Sequence, residues 1–160
     1  MDTRRWTDYA AAFLFPLFVA GLLLTPKTGH CTQDLVAMQK DAGQWVSPGK
    51  NYSMTRYSEL DRITTDNVKN LKVAWTFSTG VLRGHEGAPL VVGDTMYLVT
   101  PFPNIVYALD LTKPGSPVKW KYEPKQDPSV IPVMCCDTVN RGLAWGDGKI
   151  LLQQADTVLV

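Results

Sequence analysis

"VAWTF", Val73 to Phe77, and "VKWKY", Val118 to Tyr122, share one pattern: Val-x-Trp-x-aromatic. Their tryptophans, Trp75 and Trp120, stand 45 residues apart. That interval holds three or four strands, and a period of about 40–45 residues with four strands per unit marks β-propeller blades. "YALDLTKPGSPVKW" adds a blade-like ending: a strand, a turn with Asp and Gly, then a Trp-bearing strand. Two copies make a short repeat, and two similar strands in a small sandwich are the alternative.

The neighbouring segments extend the pattern. "PLVVGDTMYLVT" carries two apolar runs around Gly93-Asp94, which suits a two-residue type II′ hairpin turn. "NIVYALDL" reads as a further strand, and "GLAWGDGKILLQ" as a hairpin on Asp147-Gly148 with a type I′ signal. "DTVLV" starts one more strand. Upstream, "QDLVAMQKDAG" predicts a short helix ending at Gly43, and "QWVSPGKNYSMTRYSEL" an ordered irregular segment. "TTDNVKNLK" predicts a short helix with Val68 and Leu71 on one face. A propeller blade buries its faces only against neighbours. About one and a half blades fit here, and the last strand runs to Val160, so the expectation is an N-terminal portion of a longer protein. Expressed alone, it would expose strand edges and apolar faces.

The 160 residues carry a net charge of +1, which gives no global basic excess for nucleic acid and no acidic excess. The front of the chain differs from the rest. Arg4 and Arg5 precede the uncharged apolar run "AAAFLFPLFVAGLLL", the layout of an export signal. The run is short for a membrane span, which needs about 20 apolar residues, and Pro16 interrupts it. A retained N-terminal anchor is the alternative, and a lipoprotein site at Cys31 is a weaker one. The expected organisation is residues 1–31 as signal peptide or anchor, 32–72 as a helical and irregular segment, and 73–160 as the first propeller blades.

Two of the three cysteines, Cys135 and Cys136, are adjacent in "VMCCDTVNRG". Neighbouring Cα atoms lie about 3.8 Å apart, whereas unstrained disulfides want about 4.4–6.8 Å. A bond between them would need a distorted linking peptide, and strain of that kind is kept mainly at functional sites. Two free or separately paired thiols are the other reading. Zinc is disfavoured, because adjacent cysteines chelate poorly and only His30 and His85 are available besides. Arg141 follows, suited either to bidentate capture of a carboxylate or phosphate or to a surface ion pair. "GHEGAP" places His85 and Glu86 in a glycine-flanked turn before a strand, and loops of this kind carry binding groups.

Together, "NLKVAWTFSTGVLRGHEGAPLVVGDTMYLVTPFPNIVYALDL" and "CCDTVNRGLAW" closely resemble the N-terminal region of quinoprotein alcohol dehydrogenases that use pyrroloquinoline quinone (PQQ), in particular the large subunits of periplasmic methanol dehydrogenases. The resemblance runs from about Trp45 onward. It implies an all-β fold, the first blades of an eight-bladed propeller, preceded by the signal segment and short helices. It implies that Cys135 and Cys136 form a vicinal disulfide stacked on PQQ, that Arg141 binds a PQQ carboxylate, and that Glu86 hydrogen-bonds the cofactor. It places the catalytic base and the calcium or lanthanide ligands beyond residue 160, so the 160 residues alone are expected to be inactive. The implied substrate is methanol or another small primary alcohol, and the implied acceptor is a cytochrome c. The full-length protein is expected as a homo-oligomer or with a small subunit, in the periplasm and without nucleic acid. A non-enzymatic PQQ-repeat scaffold is the competing function, but it has no use for a strained cysteine ring. A small thiol redox protein would want C-x-x-C at a helix start, and the chain has neither.

Overall fold

Seven residues, "IVYALDL" (Ile105–Leu111), form the most apolar strand run of the chain, and the fold is built around them. The computed structural model describes residues 35–160. The expected export segment and Cys31 lie outside the described residues. Four strands form one antiparallel meander in chain order: β1 (Leu90–Val92), β2 (Thr95–Val99), β3 (Val106–Asp110) and β4 (Val118–Tyr122). A hairpin of β5 (Ala144–Gly146) and β6 (Lys149–Leu151) begins a second sheet. One complete four-stranded unit plus the start of another is the predicted blade and a half.

Every residue of β3 is buried, because the strand is covered on both faces. On one face Val106 joins Leu90, Val99, Leu143 and Leu152, with Trp145 and Ile150 of the second sheet packed alongside. On the other, Ile105, Tyr107 and Leu109 meet Trp75, Phe77 and Val81. Strands covered on both faces read as continuous apolar runs rather than alternating ones, which is how this stretch is written. The sheet is therefore stacked between neighbours face to face, as blades are.

The first Trp segment departs from expectation. Trp75, Phe77 and Thr79 alternate with exposed residues, the period of a strand, but Val73–Phe77 joins no ladder among the described residues. It lies across a face of the meander instead of extending its edge. Phe77 packs edge-on to Tyr107, with ring centroids 5.0 Å apart, and the Tyr107 hydroxyl donates to Thr79 O at 2.9 Å. Alternation reports which side chains are covered, whereas a ladder also requires a partner strand. The predicted helix over "TTDNVKNLK" shrinks to a 3₁₀ turn, Val68–Asn70. Val68 and Leu71 are exposed, so no packing rewards the cost of nucleating a longer helix. The helix before Gly43 is a single turn, residues 35–38, and the segment after it is ordered and irregular. Within that segment Trp45 forms a two-bond bridge to Val91, which covers the β1 edge. The other edge strand, β4, is exposed at all five positions, including Val118 and Trp120. No helix of the described residues is long and apolar enough to cross a membrane.

Both hairpin turns follow their sequence signals. Gly93 has φ +57° and the next residue has no positive φ, as type II′ requires, whereas Asp147 and Gly148 are both left-handed (52° and 69°), as type I′ requires. The β3–β4 turn is held by Asp110. One carboxylate oxygen accepts from the Thr112 amide (3.0 Å) and hydroxyl (2.6 Å), and Lys113 lies 3.2 Å from the other. The Thr112 bonds foremost, with Lys113 and the nearby Lys119 helping, lower its pKa from 3.8 to about 2. A depressed carboxylate stabilises the fold fully above its unfolded pKa and loses that contribution as pH falls through the folded one. Stability is therefore expected to fall between about pH 3.8 and about pH 2, and Asp110→Asn to flatten that part of the profile. Unfolding measured across pH 2–6 for both proteins checks it; identical profiles would refute the role of Asp110.

Candidate cofactor site

β1 and β5 begin side by side. The chain enters β1 through Gly84–Pro89 and enters β5 through Cys135–Leu143, and these two approaches run parallel. Ala88 bridges Gly142 in parallel register, and the Ala88 amide donates to Arg141 O at 3.3 Å. The spacing is close because Gly87 has no side chain. A Cβ there would sit 3.1 Å from Val99 Cγ1 and 3.2 Å from Asn140 O, tighter than nearly all real contacts.

All four predicted site residues lie on this seam. Arg141 Nε is 3.4 Å from Glu86 Oε2, and both side chains are open to solvent (76% and 48% exposed). The Cys135 and Cys136 sulfurs are 2.6 Å apart and exposed. The Cys136 thiol pKa is raised, chiefly by the contact with Cys135 and then by partial burial, while Arg141 pulls it down and Glu86 pushes it up. That thiol thus senses both members of the ion pair. Cys136 and Asp137 are both left-handed (φ 64° and 68°), an uncommon conformation for two successive non-glycine residues. A cleft of about 310 Å³ opens alongside, lined in part by Met134, Asn140, Arg141 and Gln153.

His85 turns away from this group. In its neutral form Nδ1 donates to Arg83 O (2.8 Å) and Nε2 accepts from the Thr79 hydroxyl (2.9 Å). Sequence reasoning passed over two residues of the seam, Arg83 and Asp137, whose side chains meet at 3.8 Å. A signal existed: Arg83 and Glu86 on one turn face Asp137 and Arg141 on the other, one cation and one anion each. Among the described residues no cluster of three or more His, Cys, Asp or Glu is placed to hold a metal ion.

The seam offers two soft sulfurs at a strained turn, a forked cation and a carboxylate, all open to solvent on the approaches to β1 and β5. Such a set suits a flat, carboxylate-bearing ligand: apolar sulfur against a face, guanidinium against a carboxylate. The family model described as "Glucose/ethanol/alcohol dehydrogenase, beta-propeller domain", the PQQ family, matches residues 45–159. The chain belongs to this family. Among its PQQ-family relatives, the lanthanide-dependent methanol dehydrogenase of Methylorubrum extorquens is 76% identical over 110 residues, covering 69% of this chain and 18% of that protein. Methanol dehydrogenase (cytochrome c) subunit 1 of Paracoccus denitrificans is 51% identical over 126 residues, covering 79% and 20%. A solved structure, a europium-containing methanol dehydrogenase, superimposes with a TM-score of 0.74 at 55% identity, covering 76% of this chain and 21% of that one. The chain spans about a fifth of the length of the curated relatives it matches.

Proposed function

We propose that these residues form the opening blades of a periplasmic PQQ-dependent methanol dehydrogenase that passes electrons to a cytochrome c. The carrying observation is the convergence of Glu86, Cys135, Cys136 and Arg141 on one seam, though 55 residues of chain separate the first from the last. Arg141 would take a carboxylate of the cofactor, Glu86 would accept a hydrogen bond from its edge, and the cysteine pair, closed as a vicinal disulfide, would cover a face. PQQ supplies the two-electron acceptor for alcohol oxidation. The residues here bind, orient and exclude water. On this reading the proton-accepting base and the metal ligands would lie outside residues 1–160, and these residues alone would give no turnover. The names of the relatives support methanol as substrate, and a lanthanide ahead of calcium as the metal. A scaffold propeller without cofactor is disfavoured, since it gives no reason for this charged, sulfur-bearing seam.

The test uses the protein that carries this segment at the length of its relatives, exported and loaded with PQQ and either lanthanum or calcium. Methanol-dependent reduction of cytochrome c is expected, faster with lanthanum. Absence of PQQ binding, or binding with no methanol oxidation under either metal, would overturn the proposal. Thiol counting before and after reduction addresses the disulfide separately. Cys135 and Cys136 should resist alkylation until reduced.

A further inference from the structure

The Glu86–Arg141 pair cannot be what keeps the two approaches together during ligand binding. If Arg141 takes a carboxylate from a ligand, it exchanges or shares its partner Glu86. The Ala88–Gly142 bridge still joins the two approaches then, but it lies on the far side of Arg141 from the cysteine turn, whose position depends on further contacts. Downstream of the cysteines, Thr138 is buried and its carbonyl accepts from Phe102 N at 2.8 Å, so that end is pinned to the first sheet. On the upstream side, the Met134 amide closes the preceding 3₁₀ segment onto Ile131 O at 3.2 Å. Between these anchors stand the left-handed Cys136 and Asp137. Left-handed backbone persists in non-glycine residues when the surroundings over-determine it. Aspartate tolerates it better than most, because its short side chain finds local partners.

The partner is Arg83. Its Nη1 lies 3.8 Å from Asp137 Oδ1. Beside the backbone bridge, two ion pairs of opposite polarity span the seam. Arg83 reaches across to Asp137, and Arg141 reaches back to Glu86. We infer that Arg83 and Asp137 are a positioning pair, which holds the cysteine turn against the Gly84–Glu86 turn while Arg141 and Glu86 engage a ligand. Both side chains are largely exposed, so the pair adds little to global stability. Its effect lies in where the sulfurs sit. The consequence for PQQ rests on the function proposed above, whereas the geometry does not.

The experiment is a double-mutant cycle of Arg83→Gln, Asp137→Asn and the double variant in the same relative-length protein. Asparagine keeps the tolerance for left-handed backbone, so the cycle isolates the charge contact. The first readout is the alkylation rate of Cys135 and Cys136 in reduced, PQQ-free protein, which depends on neither the cofactor nor the disulfide. Each single variant should change that rate by about threefold or more, and the double should match the singles, as for residues acting as a unit. Unchanged rates or additive effects would overturn the inference. Should Asp137→Asn lack a cooperative thermal transition, Arg83→Gln alone carries the test by the same criterion. The second readout is PQQ affinity, with Arg141→Ala as control. If Arg141→Ala binds PQQ normally, the cofactor reading fails while the alkylation cycle still judges the pair. If Arg141→Ala loses affinity, Arg83→Gln should weaken binding by about tenfold, and unchanged binding there would remove the positioning role.

Discussion

Asn104→Ala is expected to destabilise the fold by about 4–5 kcal/mol, a large effect for a loop residue. Asn104 is 1% exposed and left-handed, with φ 62°. Its Oδ1 accepts from Gln126 Nε2 and from the Ala155 amide, both at 3.1 Å, and its Nδ2 donates to Thr100 O at 3.3 Å. Ala155 N also reaches Gln126 Oε1 at 3.1 Å. One carboxamide therefore ties the β2–β3 loop to the segment after β4 and to the segment after β6. Removing it forfeits three hydrogen bonds, one buried and two part-buried, at about 1 kcal/mol each and puts alanine in a conformation that costs it about 1–2 kcal/mol. Asn104→Gly separates the two contributions. It keeps the backbone freedom and loses only the bonds, so about 3 kcal/mol should remain. Denaturant unfolding of the three proteins decides. An alanine variant within about 0.5 kcal/mol of the parent would show that the network contributes nothing net.

That residue shows where the sequence was silent. The fold was legible because its signals are local: a continuous apolar run for β3, glycine and aspartate at the hairpin turns, and Val-x-Trp-x-aromatic at blade spacing. Asn104 was invisible, because its worth comes from Gln126 and Ala155, distant in sequence and brought near only by the meander. The same limit explains the segment at Val73. Its alternation gave the covered face correctly, but whether it pairs depends on a partner strand that local pattern does not report. The site divided in the same way. Cys135 and Cys136 announce themselves by adjacency, and Arg141 and Glu86 by their place in specific motifs. Arg83 and Asp137 are ordinary charges until two turns are laid in parallel, and that depends on the absent side chain of Gly87.

Arg141→Ala is expected to weaken PQQ binding by about 10- to 100-fold in the protein of relatives' length, the worth of a charge-assisted hydrogen bond. Arg141→Lys should recover only part of this, because an ammonium offers a point charge where the guanidinium offers a fork. The same substitution has a consequence that needs no cofactor. Arg141 is the group that pulls the Cys136 thiol pKa down, against Cys135, burial and Glu86, which push it up. Its removal leaves only the upward influences, so in reduced protein the Cys136 thiol should titrate at higher pH in Arg141→Ala. It should titrate at lower pH in Glu86→Gln, where an upward influence is gone. Opposite shifts from two residues of one ion pair would show that the pair and the sulfurs share one electrostatic site. Measuring thiolate absorbance against pH in the reduced variants, with PQQ affinity on the same variants oxidised, separates the outcomes. Thiol shifts without loss of PQQ affinity would keep the site and refute its proposed ligand. Unchanged thiol titration in both variants would place Arg141 and Glu86 too far from Cys136 to act with it.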